Sequence, residues 1–367
     1  MLFFYNLLLS SLLTIIPFYL INQDKEKFFL NLLYIFHLIF FLINIYYKDY
    51  FSSDVNGYVK WANERSYAFS LGNGTSTIVL LLQNIKLLKI NLINIHLIFA
   101  LIGYAGLYLF YKIINKYNDN ILNKLVFFIP TWHFYTSTIG KDSLIVLLLG
   151  LCLLFFENRK IIFYFIVTAA IYLIRPNVAI LFSFLLIPLI VEFLLTKYQN
   201  LLKNNFKLKI SILILILTLI LAVLLYVLNF QEKLIDVINF IKVRQTYHYI
   251  GYTAYDVSQL NFLEIIFYYL FMPIGINLEH NLFYLYMSLE NVFLLAFFVL
   301  GISSFKIKRF KIFSPEACVI FFSILFLFLV SIVNTNLGLA SRQKWMIVPF
   351  FFYIFSVYSN YFNFLKK

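Results

Sequence analysis

Charge is what this chain has least of. Only 12% of its 367 residues are Asp, Glu, Lys or Arg, against the roughly 25% that a soluble domain uses to cover its surface. With 63% hydrophobic residues and a mean hydropathy of +0.88, the chain cannot wrap itself in water, and lipid is the solvent that fits. Cysteine is nearly absent too. Cys152 and Cys318 fall in or at the edge of apolar runs with no CxxC spacing, so neither a disulfide framework nor a metal site is expected. There is no HxxH or HExxH spacing, which leaves His133 and His280 as isolated histidines, and no glycine-rich loop to cradle ATP or a soluble nucleotide sugar. Alternating β-barrel patterning, an internal repeat, a low-complexity tail and a separate soluble domain are also missing.

What is present is a series of apolar runs, many near the ~20 residues that a helix needs to cross hydrocarbon. Spans are expected over 2–22, 28–47, 91–111, 124–140, 142–156, 161–174, 178–196, 210–229, 282–302, 316–333 and 344–360. Residues 75–90 and 262–274 are apolar but short and polar-flanked, as interfacial or re-entrant helices are. The first run lacks a basic leader and a small-residue cleavage site, so it reads as a retained span. The expected fold is an all-α integral membrane protein, a polytopic bundle of about eleven transmembrane helices with one or two interfacial helices. It forms a single transmembrane domain over 1–367 with outer loops 48–90 and 230–281.

The net charge of +13 is mostly a topology signal. Lys25, Lys27, Lys112, Lys116, Lys124, Arg159, Lys160, Lys197, Lys203, Lys207, Lys209, Lys306, Lys308, Arg309, Lys311, Lys366 and Lys367 all fall in one set of connections. The positive-inside rule makes that side cytoplasmic, with the N-terminus outside and the C-terminus inside. The natural partners of these cations are anionic lipid headgroups, not nucleic acid. Lys141, Arg175, Arg342 and Lys344 sit in short outer turns where that rule disfavours them, so something other than topology keeps them there.

Those cations and a few carboxylates make up the candidate site. Asp54, in "SSDVNGYVKWANERSYAF", is placed either to cap a helix or to act as general base toward a hydroxyl. Lys141 and Asp142 stand at a hairpin tip, where Asp142 caps the next helix or joins Lys141 in binding substrate. Lys141 either snorkels to headgroups or grips a phosphate. Arg175, just before Pro176, is an interfacial anchor or a bidentate phosphate ligand. Arg342 opens the last span, beside Lys344 and Trp345, which read as interface anchors. Glu290, inside a span, is expected to have an outer arginine as partner. Arg244 and His248, among the tyrosines of the longest outer segment, suit sugar binding or contact with headgroups.

"FFIPTWHFYTSTIGKDSL", "YLIRPN", "LFMPIG…SLEN" and "NLGLASRQKWMIVPF" resemble segments of polytopic sugar-transfer enzymes of bacterial surface-polysaccharide assembly. The chain is similar to the GT-C glycosyltransferases and the related O-antigen polymerases. That resemblance implies a GT-C-like fold and a bacterial inner-membrane location. It also implies a donor sugar on a polyprenyl phosphate or diphosphate, a saccharide or lipid acceptor, and Asp54 as the acidic residue of the first large outer loop. Lys141, Asp142, Arg175, Arg342 and Glu290 fall on its other motifs. The chain departs from the GT-C pattern in having a lone Asp54 where an acidic pair is common, and no soluble C-terminal domain. No cofactor is expected, and the participation of a divalent metal is left open. A lipid-carrier flippase or solute transporter is the competing class; it predicts broken midplane helices and matched halves, which the sequence does not show.

Overall fold

The structure is a computed structural model, and it describes residues 2–47, 54–64, 68–119, 121–197, 260–274, 282–305, 315–334 and 336–358. Among the described residues the regular elements are all helices. Helix α1 (Leu2–Ile21) and α2 (Lys27–Tyr47) form a hairpin. Two short helices follow, α3 (Asp54–Glu64) and α4 (Gly74–Leu87), and then α5 (Leu92–Tyr117). Asparagines start two of these: Asn73 accepts from the Thr75 and Ser76 amides at 3.0 and 3.4 Å, and Asn91 from the Asn94 amide at 2.8 Å. Each satisfies backbone donors that a helix leaves orphaned at its first turn.

The chain continues through α6 (Ile121–Leu125), one 3₁₀ turn (Val126–Phe128), α7 (Pro130–Thr136), α8 (Lys141–Glu157), α9 (Ile161–Ile174), α10 (Pro176–Ser183) and α11 (Leu186–Lys197). Beyond these come α12 (Phe262–Phe271), α13 (Leu282–Ser303), α14 (Pro315–Val333), α15 (Leu337–Gln343), a 3₁₀ turn (Lys344–Met346) and α16 (Val348–Tyr358). Among the described residues five helices are long and apolar enough to cross a membrane, and six if α7 and α8 count as one bent span. The expected span 210–229 lies outside the described residues.

Three expected spans are not continuous helices; of these, 344–360 begins as the 3₁₀ turn Lys344–Met346 and becomes α16 only at Val348. Residues 124–140 break into α6, a 3₁₀ turn and α7, because Ile129 before Pro130 is extended (φ −67°, ψ 115°) and Pro130 restarts the helix at its first position. Helix α7 then meets α8 at 109°, so the expected hairpin is an elbow. Residues 178–196 divide at Phe184 and Leu185 into α10 and α11. Pro188 explains that break: it has no N–H to give the carbonyl of residue 184, and its ring crowds that carbonyl.

Helix α5 packs most extensively on α8, and glycine sets the distance. A Cβ on Gly106 would lie 2.6 Å from the Val146 carbonyl carbon and the Leu147 nitrogen, so the two backbones touch where any side chain would part them. One continuous core spans α2, α5, α8, α9, α13, α14 and α16, with Trp132, Tyr111, Tyr164 and Tyr353 fully buried. A smaller core joins α3, α4 and α5 around Tyr58, Ile78, Leu82 and Phe99.

Charged groups collect at the two ends of α8, which is about 25 Å long at 1.5 Å per residue. At its Glu157 end, Lys116 pairs with Glu157 at 3.5 Å, and Arg159 joins Glu192 at 2.7 Å and Glu316 at 2.9 Å. Nearby in the α1–α2 connection, Asp24 takes Lys112 at 2.8 Å. The Lys141 end carries the candidate site.

Candidate functional site

The starts of α4, α8 and α10 and the ends of α9 and α15 gather around Lys141. The start of α4 approaches the end of α9 so closely that a Cβ on Gly74 would fall 2.0 Å from the Ile174 carbonyl oxygen. Thr77 seals the contact by donating to the Leu173 carbonyl at 2.7 Å. That places Thr75 beside the first turn of α8, where Lys141 donates to its hydroxyl at 3.0 Å. Arg175 links α9 to α10, with Pro176 at the first position of α10. Arg342 sits one residue from the end of α15, whose start is capped by Asn336. It precedes the last span in a helix of its own, which the sequence did not separate.

Asp142 binds two of these side chains at once. Arg175 Nη2 donates to Asp142 Oδ1 at 2.6 Å, and Arg342 Nε donates to Oδ2. Arg342 uses a second nitrogen, Nη1, to reach Asp54 Oδ2 at 2.9 Å. Asp142 is 7% exposed and faces the guanidinium groups, and α8 begins without a side-chain cap. Asp142 holds the arginines in position. Burial opposes the charge on Arg342, but the Asp142 and Asp54 carboxylates outweigh it and hold its pKa above the ordinary arginine value. Behind Asp54 in α3, burial and then the Asp54 charge raise the pKa of the Tyr58 phenol, keeping it neutral.

Asp54, Lys141, Arg175 and Arg342 line a single cavity of about 920 Å³. Asn73, Asn177 and Gln343 add amide groups to its lining; no local pattern in the sequence marks them. Much of the apolar lining belongs to α10 and α14, through Ile180, Leu181, Phe326, Leu329 and Val330. Ile180 and Leu329 are also exposed at the surface of the bundle. Three cations against two carboxylates leave the cavity one positive charge in excess. Lys141 supplies it: among the described residues it has no ion-pair partner.

No protein-family model matches the chain, and no curated protein or solved structure is detectably similar to it. The geometry therefore stands by itself.

Glu290 is not part of this cavity. Its carboxylate accepts from the Thr131 amide at 3.1 Å and from the Thr131 hydroxyl, so its partner is α7 and not an outer arginine. Trp345 Nε1 donates to the same hydroxyl at 2.9 Å, and its ring stacks on Trp132 with centroids 5.2 Å apart. Lys344 is 1% exposed and donates to Asn291. Lys344 and Trp345 are thus core residues, not interface anchors. Arg244, His248 and His280 lie outside the described residues. His133 is not isolated, being hydrogen-bonded to His37. Among the described residues no three His, Cys, Asp or Glu side chains group as metal ligands. Asp54 and Asp142 are both engaged with Arg342, a donor set that does not fit a divalent cation.

Proposed function

We propose that this chain is a membrane glycosyltransferase of GT-C type that takes its sugar from a polyprenyl phosphate or diphosphate carrier. The observation that carries the reading is the shared cavity of Asp54, Lys141, Arg175 and Arg342, whose lining combines these charged groups with apolar side chains. Such a cavity suits an amphiphile with an anionic head and a hydrocarbon tail. The phosphate would lie against Lys141 and the exposed edges of the arginines, where charge-assisted hydrogen bonds favour it. The tail would follow the apolar side chains of α10 and α14.

Transfer needs a base for the acceptor hydroxyl and stabilisation for the departing phosphate. An anion binding at Arg342 competes with Asp54 for Nη1. Once released, Asp54 would take the hydroxyl proton as the acceptor oxygen attacks the anomeric carbon. The bond to the phosphate oxygen then breaks, and its electron pair leaves with the phosphate that Lys141, Arg175 and Arg342 hold. On the positive-inside rule the cavity faces the periplasm of a bacterial inner membrane, with the N-terminus on that same side.

A polymerase that joins whole repeat units is the second reading. It is favoured by one observation: Asp54 is already bound to Arg342, so the arginines are the more prominent groups. The test is transfer in proteoliposomes supplied with polyprenyl-linked sugars. Arg175→Ala and Arg342→Ala are expected to abolish transfer while the protein stays inserted; unchanged product from both would overturn the phosphate clamp. Growth of long chains from preassembled repeat units, without transfer of single sugars, would favour the polymerase.

A further inference from the structure

A second polar group lies away from the cavity, between α2, α5 and α7. His37 and His133 are both fully buried, and their Nδ1 atoms are 2.9 Å apart. The remaining ring nitrogens are engaged as well: His37 Nε2 lies 2.9 Å from the Ala100 carbonyl oxygen, and His133 Nε2 lies 2.6 Å from that of Phe127. A carbonyl oxygen only accepts, so each Nε2 must carry a proton. The Nδ1–Nδ1 contact needs one proton as well. Three contacts require three protons, and two neutral imidazoles carry two.

We propose that His37 and His133 bind one additional proton between them, as a buried imidazole–imidazolium pair. Turning either ring by 180° would put carbon in place of nitrogen at two of the three contacts, leaving a buried carbonyl without its donor. Burial alone favours neutral rings; the hydrogen-bond count is what requires the third proton. The surroundings help to hold a cation. The Phe36 ring centroid is 4.9 Å from that of His133, and the Phe40 ring stacks at 6.0 Å, so the charge lies among aromatic quadrupoles.

The titratable groups on the elements packed around the pair are His96 of α5, which is buried with its Nδ1 3.3 Å from the Thr138 hydroxyl, and phenols engaged elsewhere. Tyr104 on α5 donates to the Leu30 carbonyl at 3.0 Å, and Tyr34 on α2 to the Thr14 carbonyl at 3.3 Å. Tyr135 on α7 meets Ser341 at 3.2 Å, and the 3₁₀ turn Val126–Phe128 brings no titratable side chain. Among the described residues no carboxylate, lysine or arginine contacts either ring. The proton therefore joins α2 to α7 directly, and the folded chain holds one proton more than two neutral histidines would. Stability is then present at low pH and lost as pH rises far enough to remove it.

The experiment is ¹⁵N-histidine NMR of the full-length chain in lipid nanodiscs, with ¹⁵N–¹⁵N correlation to identify the two adjacent ring nitrogens without substitution. The expected result is three protonated nitrogens out of four and a strongly deshielded N–H–N proton. Two protonated and two bare nitrogens at neutral pH would overturn the proposal. Thermal unfolding across pH gives an independent reading: a Tm that falls as pH rises supports the shared proton, and His37→Gln should flatten that slope. A flat wild-type profile counts against the proposal whether or not the variant folds.

Discussion

Asp142 and Arg342 are 200 positions apart in the chain, and in the folded protein the carboxylate of one accepts from the guanidinium of the other. Arg175 meets the second oxygen of the same carboxylate at 2.6 Å. One buried acid therefore aligns the end of α9 with α15, and the cavity depends on it.

Replacing that acid should cost both structure and function. Asp142→Asn leaves the Arg175 guanidinium without its anion and Arg342 with Asp54 alone. Removing one partner of a buried pair typically costs about 3–5 kcal/mol. Thermal unfolding in detergent should show a clear drop in Tm, together with loss of transfer. A variant as stable and active as the parent would mean that Asp142 does not position the arginines.

Lys141→Ala separates binding from stability. Lys141 gives up one hydrogen bond to Thr75, worth about 1 kcal/mol, and no ion pair among the described residues. The variant should fold nearly as well as the parent and bind polyprenyl phosphate more weakly, which flotation with labelled lipid measures. Unchanged binding would remove Lys141 from the anion site.

Asp54→Asn should divide the two activities assigned to this end of the molecule. Its carboxylate is 55% exposed on the side chain, so its pair with Arg342 contributes at most about 1 kcal/mol to stability. Loss of the charge removes the internal competitor for Arg342 Nη1. Phosphate-bearing lipid should bind more tightly while transfer is lost, a combination that simple unfolding cannot produce. Weaker binding would contradict the competition.

Gly74→Val tests the scaffold. The added side chain begins 2.0 Å from the Ile174 carbonyl oxygen, so α4 must withdraw from α9 and take Thr75 from Lys141. Lower Tm and reduced transfer are expected together.

The long helices were legible in the sequence because a run of about 20 apolar residues leaves the backbone one way to satisfy itself in lipid. Thus α1, α2, α13 and α14 fall within a residue of their expected bounds, while α5 runs six residues past its expected end at 111. The elbow at α7 was not, since apolar composition stays high through 124–140 and only Pro130 marks the break. The cations of the site were visible as charges misplaced by the positive-inside rule. Their pairing with Asp142 was not legible: next to Lys141 in sequence, that residue reads equally as a cap or as part of a substrate site. Whether it meets solvent or two arginines depends on contacts 33 and 200 residues away. His37 and His133, 96 residues apart, form no local spacing at all.

The 109° turn between α7 and α8 makes a seven-residue helix into a crossbar. Helix α7 touches α2, α5, α8 and α15, and through Thr131 it also holds Glu290 of α13. A helix aligned with its neighbours can slide along them and trade one set of contacts for the next; a crossbar cannot. An extra residue between Ser137 and Gly140 would shift α7 against α8 by up to the ~3.5 Å that one residue spans, straining the histidine bridge and the Glu290 contact together. The length of that elbow should therefore tolerate far less change than its amino-acid identity.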